Sequence, residues 1–94
     1  MIRGADISIS QLRVLLTVAD EKSYTRAATR LGVSQSGVSH SMQALEKLVG
    51  GSLIIKSPEG LVPTALGELV LTSAKKVVGE LQILSQQVAQ FHND

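Results

Sequence analysis

Residues 23–48 read SYTRAATRLGVSQSGVSHSMQALEKL, and the order of caps and apolar residues in this stretch decides the fold. Ser23 can cap a short helix in which Tyr24, Ala27, Ala28 and Leu31 share the inner face, the small alanines letting another helix approach closely. Gly32 can supply the positive backbone dihedral that stops this helix, Val33 can plug the turn, and Ser34 can cap the next helix. A helix, a tight turn containing glycine and a second helix form a helix-turn-helix. The second helix is predicted to run from Gln35 to Val49. At roughly 100° per residue, Val38, Met42, Leu45 and Val49 cluster within a narrow arc, which is the core side. The opposite side carries Ser36, Ser39, His40, Gln43 and Lys47, with Gln35 near its edge in the first turn.

That outer face is unusual for a helix that merely meets water, which would more often be studded with Glu and Lys. Short polar side chains allow close approach to a flat surface, and they both donate and accept hydrogen bonds, as the edges of bases require. Taken alone, Gln35, Ser36 and Ser39 read equally well as polar residues at a helix start. A histidine such as His40 is either a donor to DNA, gaining attraction on protonation, or a plain surface residue. Arg26, Arg30, Lys47 and Lys56 are candidate phosphate neighbours, each of which also fits ordinary surface charge.

Working outward from this core motif, Ser8 with Gln11 makes a capping box for a first helix ending near Ala19. Ile9, Leu12, Leu15, Leu16 and Ala19 fall on its inner face, and Asp20-Glu21-Lys22 ends it. Beyond Gly50-Gly51, Leu53-Ile54-Ile55 is a β-rich triplet, Ser57-Pro58-Glu59-Gly60 a turn, and Leu61-Val62-Pro63 a returning strand. A two-stranded ribbon directly after such a helix is a wing. Thr64 then caps a last helix that should reach about His92. Along it Val70, Ala74, Val77, Leu81, Leu84, Val88 and Phe91 alternate in steps of four and three, an a/d seam over three heptads. The first helix can cover only the beginning of this seam, so the rest is expected to pair with a second copy of the chain. The predicted fold is therefore mainly α: residues 1–63 a winged helix-turn-helix and residues 64–94 a long dimerisation helix.

Composition bounds this reading without deciding it. The chain has 94 residues, enough for one domain with a thin core, and its 44% apolar and 18% charged residues read as globular. Net charge is only +1, less than most specific DNA binders carry, although residues 1–63 hold seven Lys or Arg against five Asp or Glu and residues 64–94 two against three. There is no cysteine, and His40 and His92 are well separated, so neither a disulfide framework nor a zinc site is expected. Residues 1–6 lack the layout of a signal peptide and no apolar run approaches membrane-spanning length, so a cytoplasmic protein is expected.

Residues 23–48 closely resemble the signature of LysR-type transcriptional regulators, in which a serine and an aromatic precede an Ala-Ala pair, Val-Ser-Gln opens the recognition helix and a Leu-Glu pair closes it. Gln11-Leu12-Arg13 is similar to the first-helix pattern, Gly51-Ser52-Leu53 to the approach to the wing, and Pro63-Thr64 through Gly67 to the start of the linker helix. The resemblance covers residues 7–92 in order and implies a regulator that binds a dyad-symmetric promoter site on double-stranded DNA as a homodimer joined through linker helices. It further implies that a larger effector-binding domain follows in the full-length protein, where tetramers form. That domain is absent from this sequence, which is expected to be a fragment. By the resemblance, Gln35, Ser36, Ser39 and His40 fall at major-groove positions and Gln43 lies on the same face, while Ser34, Arg26, Arg30, Lys47, Lys56 and Ser57 are candidates for phosphate or wing contacts. Three positions depart from the family pattern: Ser36 stands where proline is common, His40 where arginine is common, and Glu59 where a wing arginine often enters the minor groove. A carboxylate is repelled there, which favours Lys56 and Ser57 as the wing's contacts.

These residues are compatible with two functional classes. The leading one is a sequence-specific DNA-binding module; the alternative is a winged-helix module for protein interaction or dimerisation that has lost DNA binding, motivated by the low net charge and Glu59. An enzyme is not expected, because the sequence offers no glycine-rich phosphate loop, no nucleophile with a base, and no paired buried carboxylates. No cofactor is implied.

Overall fold

In the computed structural model, which describes residues 6–94, each helix starts on the side chain its sequence offers. The Ser8 hydroxyl accepts from the Gln11 amide (3.1 Å) while the Gln11 side chain accepts from the Ser8 amide (2.9 Å), a complete capping box that opens α1 (Ile9–Glu21). Ser23 accepts from the Arg26 amide (3.1 Å) and opens α2 (Tyr24–Leu31). Ser34 accepts from the Gly37 amide (3.0 Å) and opens α3 (Gln35–Val49). Two antiparallel strands, β1 (Ile54–Ser57) and β2 (Gly60–Pro63), precede α4 (Ala65–Asn93), which Thr64 caps through the Gly67 amide (2.9 Å). Residues 1–5, where a signal peptide would begin, lie outside the described residues.

Helix α1 runs two residues past its expected end at Ala19, and Lys22 closes it in the left-handed region (φ 57°). Its buried face is also wider than the predicted stripe. Val14, Thr17 and Val18 are buried together with Leu12 and Leu15, while Ile9, Leu16 and Ala19 are only half-buried. The reason is its central position: α2, α3 and α4 all pack on α1, so it is covered on more than one side. Ala27 and Ala28 of α2, Val38, Met42 and Leu45 of α3, and Leu53, Ile54 and Leu61 of the wing complete the core with Val70, Leu71 and Ala74 of α4. Leu15 and Leu45 are fully buried, each worth about 1.5–3 kcal/mol relative to exposure. Val33 does not plug the turn after α2. Its amide donates to the Ala28 carbonyl (3.0 Å), but its side chain is 50% exposed.

The wing is two strands joined by Pro58 and Glu59, with Ser57 paired to Gly60 and Ile54 to Pro63. Leu53, expected in the first strand, precedes it instead because its backbone groups are engaged elsewhere. Its amide donates to a Glu46 carboxylate oxygen on α3 (2.8 Å), and its carbonyl accepts from the Thr64 amide (2.9 Å). The Thr64 hydroxyl also donates to the Ser52 carbonyl (2.6 Å), so one side chain caps α4 and holds the approach to the wing. At the other end, Gly60 adopts a φ of 110°, and the Lys22 carbonyl accepts from the Leu61 amide (3.3 Å). Gly67 lets α4 lie directly on the wing's root, since a Cβ there would sit 2.0 Å from the Leu53 carbonyl oxygen.

The first turns of α4 belong to this core, which therefore runs across the junction of residues 63 and 64. Val70 and Ala74 are buried against their own domain, so they leave the seam expected to meet a second copy. Leu71, off the seam, is buried beside them because α1 lies on that side of α4. Val77, Leu84, Val88 and Phe91 are exposed, Leu81 is half-exposed, and every residue from Gln82 onward is exposed. With 29 residues, α4 extends about 44 Å, which accounts for the 50 Å long axis of the molecule.

Candidate nucleic-acid interface

Helix α3 turns Val38, Met42 and Leu45 into the core and thereby fixes what faces outward. Gln35, Ser36, His40, Gln43 and Lys47 are exposed and Ser39 is half-buried, one continuous stripe from the first turn to the last. The acidic residue of this helix, Glu46, is directed toward the amide of Leu53 rather than into the stripe. The face consequently presents hydrogen-bonding groups and one cation, with no carboxylate among them.

The first turn of α3 is held by side chains. Ser34 caps it, with the Ser36 hydroxyl 3.2 Å from the Ser34 hydroxyl. The Thr25 hydroxyl of α2 donates to the side-chain carbonyl of Gln35 (3.1 Å), tying the starts of the two helices together. Both helix starts border an open groove of about 390 Å³ whose far wall is the wing, including Lys56. Helix N-termini carry partial positive charge, and Lys22 and Lys56 line the same groove. Sequence reading passed over Thr25 and Lys22. The signal for Thr25 was its place one turn into a capped helix, which becomes informative only when the turn between α2 and α3 sets the two starts side by side.

The basic residues separate into two groups. Arg26 and Arg30 face back toward the end of α1. Arg30 pairs with Asp20 and with Glu21 (3.2 Å), and Arg26 with Glu21 (3.6 Å). Donation to the Asp20 carboxylate, then to that of Glu21, holds the Arg30 guanidinium above its usual pKa. Lys47 and Lys56 are exposed and outside these pairs. In the wing, the Ser57 hydroxyl closes the turn by donating to the Gly60 carbonyl (2.8 Å) and accepting from the Glu59 amide (3.2 Å), which leaves it less free than Lys56 to contact a ligand. Glu59 sits exposed at the tip. Tyr24, half-buried on the groove's near wall, has its phenol pKa raised by burial and then by the charge of Glu46.

Among the described residues no group of three or more His, Asp or Glu is placed to hold a metal ion, and no helix is long and apolar enough to cross a membrane.

Residues 9–68 match the sequence family described as bacterial regulatory helix-turn-helix protein, lysR family. The chain is 40% identical over 74 residues to an uncharacterised HTH-type transcriptional regulator, YfeR of Shigella flexneri, covering 79% of this chain and 24% of that protein. It is similar in structure to the OxyR C206 mutant of Corynebacterium glutamicum, with a TM-score of 0.82 and 31% identity over 88% of this chain and 27% of that one. The DNA-binding domain in a CbnR_DBD–DNA complex is similar over 94% of this chain and 100% of that one, with a TM-score of 0.77 and 32% identity. The chain thus spans about a quarter of the length of the longer relatives it matches.

Proposed function

From the fact that the chain belongs to the LysR family of bacterial regulatory helix-turn-helix proteins, we propose that it is a sequence-specific DNA-binding domain of a transcription regulator, reading the major groove with α3. One observation carries this: α3 presents an outer stripe of Gln35, Ser36, Ser39, His40, Gln43 and Lys47, and its own carboxylate is turned away to the wing. Gln35, Ser36, Ser39 and His40 are the residues we assign to base edges, with Gln43 further along the same face. Ser34, Lys47 and Lys56 are assigned to phosphates. Arg26 and Arg30 join them once their ion pairs with Asp20 and Glu21 exchange for phosphate, and Ser57 supports the wing. A relative of nearly the same extent has been captured on DNA, which supports the same use of this fold here.

On this reading the chain works as a homodimer, two copies meeting along α4 and addressing two half-sites of double-stranded DNA in the cytoplasm. Tetramers and effector sensing are properties we assign to a longer protein. The chain itself has no catalytic role in this proposal and needs no cofactor.

The test is selection from a random duplex library at two salt concentrations. Enrichment of a two-fold-symmetric site, with affinity falling steeply as salt rises, is the expected result. Gln35→Ala should then lose roughly 1–3 kcal/mol on the selected site while melting like the parent. No retention at either salt would overturn DNA binding and favour a protein-interaction module.

A further inference from the structure

The bond between Thr25 and Gln35 has a consequence for which base is read. Gln35 is the first residue of α3 and Thr25 the second of α2, and both are exposed beside the groove between the helix starts and the wing. A glutamine amide presents a carbonyl at one end and an NH2 at the other, and a flipped amide reverses donors and acceptors. Left free, such a side chain offers either pattern to a base edge. Here the Thr25 hydroxyl donates its single hydrogen to the Gln35 carbonyl oxygen at 3.1 Å. That bond places the oxygen on Thr25 and leaves its second lone pair and the two N–H donors for other partners.

We propose that Thr25 is a positioning residue that fixes the amide of Gln35 through their 3.1 Å hydrogen bond and so sets the base preference at the position Gln35 reads. The proposal rests on the DNA-binding reading of α3. Thr25 lies ten residues before Gln35 on another helix, so a substitution on α2 alters recognition by α3. Thr25 is exposed, so removing its hydroxyl buries no unpaired group and leaves the fold in place.

The experiment is library selection with the parent chain, Thr25→Val, Thr25→Ser, Gln35→Ala and the Thr25→Val/Gln35→Ala double variant, with melting temperatures as the control for folding. The base pair whose preference Gln35→Ala abolishes is the one to follow. Thr25→Val should reduce discrimination at that pair by about two- to tenfold, the net worth of one hydrogen bond, while binding to unrelated DNA stays at the parent level. Thr25→Ser should restore the preference, and in the Gln35→Ala background Thr25→Val should change nothing further. An unchanged profile in Thr25→Val overturns the proposal. So does an equal loss on every sequence, which would make Thr25 a direct phosphate contact. A parent chain that enriches no sequence overturns the sequence-specific reading of α3, and this proposal with it.

Discussion

Glu46 closes the family's Leu-Glu pair at the end of α3, and its work is structural: it accepts the amide of Leu53, seven residues on, and anchors the root of the wing. The site is partly buried, so removing the acceptor leaves a backbone donor without a partner. Glu46→Ala should therefore lower unfolding stability by about 1–3 kcal/mol, while Glu46→Gln, which keeps an acceptor, should lose much less. Urea titrations of both variants check this, and equal losses would mean that the charge of the carboxylate, not an acceptor at that place, matters. The same carboxylate also touches the titration of Tyr24. Burial first, and the charge of Glu46 second, raise the phenol above its ordinary value of 10.0, so the fold prefers the neutral form. That contribution to stability is fully present below pH 10 and is lost as pH rises through the folded value. Melting temperatures between pH 8 and 11 should fall more steeply for the parent than for Tyr24→Phe; parallel curves would remove Tyr24 as the cause.

At the scale of elements, α2 and α3 were legible almost to the residue because Ser23, Gly32 and Ser34 act locally, each on amides or carbonyls within a few positions. The outer stripe of α3 was legible for the same reason, its apolar face fixing the polar one. What escaped was set by distant partners. The added burial of Val14 and Val18 exists because three helices meet on α1. Leu53 left the strand because Glu46 and Thr64 take its backbone groups. The two arginines of α2 belong to this class as well. Their sequence positions suggest phosphate contacts, but Asp20 and Glu21 hold them to the end of α1. Exchange of one anion for another releases less than capture by a free cation. Lys47→Ala should therefore reduce the slope of log affinity against log salt by about 0.9, as expected for one phosphate contact. Arg30→Ala should change the slope by clearly less. Anisotropy titrations at four salt concentrations measure both, and equal slope changes would make Arg30 a full phosphate contact.

For the whole molecule, the proposed dimer turns on the half of α4 that leaves the core. Val70 and Ala74 are already covered by their own domain, yet Val77, Leu84, Val88 and Phe91 stand exposed on a helix reaching well beyond it. In the proposed dimer, pairing two copies along this row buries both. Leu84 is 53% exposed and makes no part of the core, so Leu84→Glu should leave the melting transition of the domain largely intact. It places a carboxylate in the seam and should convert a dimer into a monomer in sedimentation at micromolar concentration. The effect on DNA follows from linkage. Two joined domains hold the second near its half-site at an effective concentration of the order of millimolar, which multiplies affinity by roughly 10²–10⁴. Leu84→Glu should lose that factor on a symmetric site and bind an isolated half-site as the parent does. A variant that still sediments as a dimer and keeps the full affinity would move the interface to a different face of α4, where Leu69 and Ile83 are also exposed.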